Sequence, residues 1–283
     1  MNRKKKKKYI SQKTIVTKLQ VDDEMKELFA TIDYMVEYSD KIINKSHPSN
    51  SRQTLSLATY SALTQYAVGI KIMIKDRPMS KVAETLVRSM FEAWINLEYM
   101  IVGKDDQNLL LNVRYSLDSQ KNRMQRVEDF FIRNKLTEIT GMTLEKVQQM
   151  ITDKTAELNE IDTMLKHRKV AGRKEVKLHE KARLVDAAKG YDEPGHSVEY
   201  NYQMVYGHWS ASVHLGYDGL MSWVKLDGKN VIFNGNETLS DSKMVLWTTI
   251  ALLKDVSVLT LKELKLYDKE YDDKIQEIIE RTR

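Results

Sequence analysis

No cysteine occurs among the 283 residues. That removes disulfide frameworks, thiolate zinc sites and cysteine nucleophiles together, and it is compatible with a reducing compartment. Proline is nearly as scarce at three residues, and glycine contributes eleven; a β-sandwich, with its many short strands and turns, needs more punctuation than that. The most apolar stretch, Val245 to Leu261, is broken by Lys254 and Asp255, so a buried core helix is expected there and no membrane span. Arg3 and Lys4 to Lys8 form a basic start, but Tyr9-Ile10-Ser11-Gln12-Lys13 turns polar at once, unlike a secretory signal. The expected location is the cytoplasm.

What is present points to helices. With 42% hydrophobic residues the chain can bury a sizeable core, and its length fits one large domain or two modest ones. The formal charge is +5, but setting aside the six basic residues Arg3 to Lys8 leaves 39 basic against 40 acidic side chains. The body is nearly neutral. The basic start can contact RNA, DNA or an anionic membrane through its charge, or serve only as a solvated end. The organisation expected is a disordered basic tail over 1–20 and a single helical domain over 21–283.

Within that domain, Met25, Leu28, Phe29, Ile32, Met35 and Val36 recur every three and four residues, one face of a first helix over 21–45. His47-Pro48-Ser49-Asn50-Ser51 breaks it, and 54–75 reads as a second helix unusually poor in charge. Arg77-Pro78 is the next break, and a third helix runs to about Val102 before Gly103. From 105 to 190 the composition turns charged, with a thin apolar stripe through Leu144, Val147, Met150, Ile151, Leu158, Ile161 and Leu165. This reads as a long helical hairpin insertion turning near Thr140-Gly141-Met142-Thr143, able to project or to dimerise as a short coiled coil. Val198 to Gly219 returns to an apolar helical pattern. Val224 to Phe233, centred on Asp227-Gly228, reads as one small β-hairpin; 241–266 reads as a long helix and 267–283 as a charged last one. The fold class is therefore mainly α, a helical bundle with one charged helical hairpin and one small β-hairpin.

Two segments carry chemistry. On the third helix Glu84, Arg88, Glu92 and Asn96 recur every four residues and form a polar stripe, while Val82, Leu86, Val87, Met90, Phe91, Trp94, Ile95 and Leu97 cover more than half the circumference. Such a stripe is either a row of surface ion pairs, each worth about 0.2–0.5 kcal/mol, or part of a site. The second segment, Tyr200 to Tyr217, contains no Asp, Glu, Lys or Arg, yet places Tyr202, Tyr206, Ser210 and His214 at four-residue spacing. A solvated face would carry charge. Buried hydroxyl and imidazole groups need partners or cost about 1–3 kcal/mol each, and the Arg88/Glu92 stripe is the expected partner. Gly207 and Ala211 thin the segment and would admit a backbone or ligand closely. His214 is either a structural imidazole tied to a carboxylate or a functional one.

The pairing of Leu86-Val87-Arg88-Ser89-Met90-Phe91-Glu92-Ala93-Trp94 with Tyr202-x3-Tyr206-x3-Ser210-x3-His214 resembles a bacterial family of helical proteins of unknown function, over roughly Leu28 to His214. That family in turn resembles the HEPN helical bundles, many of which are metal-independent ribonucleases in toxin and phage-defence systems. HEPN ribonucleases place an Arg-x4-6-His motif on one helix and build the site across a dimer. This chain departs from that pattern, since no arginine precedes His214 at that spacing; Arg173-x5-His179 has the spacing but lies in a basic, loop-like stretch.

Three functions compete. As an RNA-cleaving enzyme, His214 would be general acid or base, Arg88 would hold phosphate, Glu92 would orient one of them, and Tyr202, Tyr206, Ser210 and Asn96 would position substrate. As a binding module, the same pocket would read a nucleotide or other small polar ligand without chemistry. As a structural protein, the stripe would fix helix register while the hairpin oligomerises. No cofactor or metal is expected, since no His-Glu-x-x-His or paired aspartate motif occurs. The expected partners are RNA or a nucleotide and a second copy of the chain as a homodimer.

Overall fold

A computed structural model describes residues 21–76, 80–103, 106–170, 175–191, 197–207, 224–227, 230–233, 238–267 and 269–281. The basic 1–20 segment lies outside them. The chain is mainly α. Helix α1 (Asp23–Lys45) starts at Asp22, whose carboxylate accepts from Met25 N at 2.9 Å, and Asp23 and Glu24 follow in the first turn, where the helix dipole favours acids. Lys243 reaches back to Asp22 at 2.6 Å and to Glu24, tying the start of α1 to a later helix. Of the six apolar residues that define the α1 face, all but Val36 are buried.

Helices α2 (Ser51–Asp76) and α3 (Ser80–Val102) follow, and α8 (Leu239–Glu263) completes the bundle by packing on α1, α2 and α3. Its core is continuous through Met25, Leu28, Ile32 and Met35 of α1, Tyr60, Leu63 and Ile70 of α2, Val87, Met90 and Ile95 of α3, and Val245, Leu246 and Leu253 of α8. Ser39 and Thr64, both buried, share a hydrogen bond of 2.8 Å between α1 and α2, so the polar pair satisfies itself inside the core. Among the described residues α8 is the one helix long and apolar enough to cross a membrane, and 56% of its most apolar window is buried inside this bundle.

The charged hairpin consists of α4 (Gln107–Arg133) and α5 (Leu144–His167), which pack mainly on each other. Thr143 caps α5 by accepting from Lys146 N, as its place after the turn implies. At the tip a short pair of strands, β1 (Glu138–Ile139) and β2 (Met142–Thr143), joins the two arms. It needs positive φ at Thr140 (49°) and Gly141 (81°), the requirement of a two-residue primed turn. Val147, Leu158 and Leu165 of the thin stripe are buried, whereas Met150 is exposed. Arg114 and Asp162 join the arms at 2.7 Å.

The hairpin ends at His167, short of the 190 expected. Within the remaining stretch, α6 (Leu178–Lys189) presents Ala182 and Val185 to the main core and packs on α3; two small apolar residues a turn apart suffice to dock an otherwise charged helix. Glu180 accepts from Lys177 N at 2.9 Å at its start, and Gly190, at φ 68°, ends it in the left-handed conformation that glycine adopts without strain. Strands β3 (Val224–Asp227) and β4 (Asn230–Phe233) pair antiparallel, with Asp227 opposite Asn230, which is the β-hairpin read from the sequence. Helix α9 (Lys269–Arg281) closes the chain, its Tyr271 stacked on Tyr38 of α1 at 3.8 Å between ring centroids.

Candidate functional site

The segment that carries the tyrosines is set in place by one carboxylate. Asp186, buried near the end of α6, accepts from Ser197 Oγ at 2.7 Å, Val198 N at 2.7 Å and Glu199 N at 2.9 Å. These are donors at the start of α7 (Val198–Asn201), the positive end of a helix, so the anion serves both as partner and as charge complement. Ser197 caps the same helix by accepting from Tyr200 N at 2.9 Å.

From α7 the chain does not continue as a regular α-helix. Residues Tyr202–Tyr206 form a π-helical turn in which Gly207 N donates to Tyr202 O, five residues back. Such turns are rare and occur frequently at functional sites. The Tyr202 and Tyr206 rings stack here, 4.8 Å apart and 18° from parallel. A Cβ added at Gly207 would meet nothing within 4 Å among the described residues.

The two polar stripes meet. Arg88 donates from Nη2 to Tyr206 Oη at 2.9 Å and from Nε at 3.2 Å, and Nε also donates to Glu92 Oε1 at 3.1 Å. Tyr206 Oη donates to the same Glu92 oxygen at 2.7 Å, closing a three-membered cluster between residues more than a hundred positions apart. The Arg88 guanidinium also lies over the Tyr206 ring at 5.0 Å. Arg88 is 16% exposed and Glu92 40%, so the cluster stands at the edge of the fold with its carboxylate open to solvent. Burial pushes the Tyr206 phenol above its ordinary value, the hydrogen bond to Glu92 adds to that, and Arg88 opposes it. The hydroxyl therefore keeps its proton at neutral pH. Phe91, one residue before Glu92, packs against Tyr206 at 6.3 Å and fixes the ring from the core side.

Asn96 belongs to the same stripe but has a different partner: its amide oxygen accepts from Lys181 of α6 at 2.7 Å. Glu84, at the other end of the stripe, is drawn fully inside and paired with Lys81 at 2.8 Å. Ser210 and His214 lie outside the described residues, as do Arg173 and His208. His179, by contrast, opens α6 and lies 6.5 Å from the Tyr202 ring. Composition alone assigns Lys181 and His179 to the charged hairpin. The signal that separates them from it is the Ala182/Val185 face ending at Gly190, an independent helix beginning and stopping inside the charged stretch.

Fold and site together define a mainly α bundle with an arginine–glutamate–tyrosine cluster at a π-helical turn. Residues 53–231 match the family described as "Family of unknown function (DUF5677)", and the chain belongs to that family. The match covers both halves of the cluster. No curated protein and no solved structure matches the chain.

Proposed function

We propose that this protein is a metal-independent RNA-cleaving effector of the toxin or phage-defence kind, acting in the cytoplasm as a homodimer, with its site at Arg88, Glu92 and Tyr206. The observation that carries this reading is the cluster itself: a largely buried arginine beside a protonated phenol and a half-exposed glutamate, at an irregular helical turn. In such a site the 2′-hydroxyl of RNA loses its proton to a base, the 2′-oxygen attacks the adjacent phosphorus, and an acid protonates the departing 5′-oxygen. Arg88 neutralises the charge that develops on the non-bridging oxygens. Glu92 orients Arg88 and Tyr206. His214 is assigned one proton transfer from the sequence pattern, and this reading gives the other to His179, exposed with its ring 6.5 Å from that of Tyr202.

One observation favours a second reading. Arg88, Glu92 and Tyr206 satisfy one another's hydrogen bonds within the fold, as a buried polar network that fixes the register of α3 against the π turn would. Induced expression of wild type, Arg88→Ala and His214→Ala in bacteria separates the two. The enzyme reading expects growth arrest and fragmented RNA from wild type alone, at matched soluble levels. Absence of arrest and of RNA damage in wild type would remove it and leave the structural network.

A further inference from the structure

The α3 stripe continues past the cluster. One turn beyond Glu92, about 6 Å along the axis, Asn96 accepts from Lys181 Nζ at 2.7 Å, and Asn112 of α4 accepts a second bond from the same ammonium at 2.8 Å. The Tyr99 ring lies 5.4 Å away. All three partners are neutral, and among the described residues no carboxylate is within ion-pair distance of Lys181. That sets it apart from the other lysines held against the bundle. Lys189, eight residues later on the same helix, is paired with Glu98; Lys81 is paired with Glu84, and Lys243 with Asp22 and Glu24.

An ammonium taken partly out of water and given only neutral oxygens is an expensive arrangement. Burial lowers the Lys181 pKa, against a smaller opposing pull from the charge of Glu175. Two of its three protons are held by Asn96 and Asn112, which fixes the direction of the third. The cost is offset when an anion arrives. Along α3 the site then has a guanidinium at Arg88 and an ammonium at Asn96, eight residues or about 12 Å apart on the axis, with the half-buried Tyr202 ring stacked on Tyr206 at the Arg88 end. Cations that track a backbone and aromatic faces that stack bases are the parts of a single-strand groove.

We propose that Lys181, framed by Asn96 and Asn112, is a second phosphate subsite beside the Arg88 cluster, holding a neighbouring phosphate of single-stranded RNA. This rests on the RNA reading above and adds a residue and a register to it. Lys181 is a positioning residue and touches no reacting bond.

The test is fluorescence anisotropy of a short, labelled, 2′-O-methyl single-stranded RNA with the full chain, titrated between about 50 and 200 mM salt, alongside thermal melting of each variant. Losing one phosphate contact lowers the slope of log affinity against log salt by about 0.7, so over this fourfold range wild type loses about 2.6-fold more affinity than Lys181→Met. Lys181→Arg keeps the wild-type slope. Lys181→Met melts at or above the wild-type temperature, because removing a desolvated charge that has no carboxylate relieves the free protein. A lysine kept for structure would lower it. An unchanged slope in Lys181→Met while Arg88→Ala loses affinity would overturn the subsite and leave the RNA reading standing. Failure of wild type to bind RNA would overturn both, and a lower melting temperature in Lys181→Met would return Lys181 to a structural role.

Discussion

Replacing Tyr206 with phenylalanine removes one oxygen and leaves the ring on which Tyr202 stacks and against which Phe91 packs. That oxygen accepts from Arg88 Nη2 at 2.9 Å and Nε at 3.2 Å and donates to Glu92 at 2.7 Å. Hydrogen bonds to charged groups are worth about 1.5–3 kcal/mol each when both partners stay dry. Glu92 is 40% exposed and can be rehydrated, and Arg88 keeps its own bond to Glu92 at 3.1 Å. The loss therefore falls below the sum of the bonds, at about 1–2 kcal/mol, which for a domain of this size lowers the melting temperature by roughly 2–8 °C. Denaturant unfolding of Tyr206→Phe, Glu92→Gln and the double variant measures it, and the cycle should return a coupling of about 0.5–1.5 kcal/mol. A coupling indistinguishable from zero would refute the claim that the two stripes are energetically joined, whatever their function.

Other expectations follow from the same contacts. Asp186→Ala removes three bonds to the start of α7 and should cost about 2–4 kcal/mol, and the near-ultraviolet dichroism of the stacked tyrosines should collapse with it; intact dichroism would show that Asp186 does not hold the π turn. Lys181 has a folded pKa below its ordinary 10.5, so between the two values the unfolded chain binds a proton that the native chain lacks, and wild-type stability rises with pH there. The advantage of Lys181→Met should be full below that window and shrink as pH climbs through it; a gap constant with pH would mean that burial does not depress this amine. The α4–α5 arms rest on a small cluster of Leu111, Leu165 and Val170, separate from the main core. Hydrogen exchange in the arms should thus occur by local opening, well below the free energy needed for α2 or α8, and equal protection throughout would contradict an independently opening hairpin.

Hydrophobic periodicity alone makes the bundle legible. The α1 face, the apolar breadth of α3 and the Thr143 cap all follow from local spacing, which fixes which side of a helix is buried. So do the Arg88, Glu92 and Tyr206 candidates, because a run without charge that still holds hydroxyls must find polar partners. What spacing does not reveal is long-range. Lys181 lies in a segment whose composition matches the hairpin, and only the docking of Ala182 and Val185 on α3 brings it to Asn96. The π turn is equally invisible, since four-residue spacing of Tyr202 and Tyr206 reads as ordinary helix and one shifted backbone bond, Gly207 N to Tyr202 O, leaves no mark on composition.

The most direct test of the proposed activity is incubation of purified full-length protein with labelled single-stranded RNA in the presence of EDTA, comparing wild type with Arg88→Ala and His214→Ala. The account predicts fragments from wild type and intact RNA with both variants, each of them folded by its melting curve. RNA that survives wild type, or that Arg88→Ala cuts equally well, would contradict it.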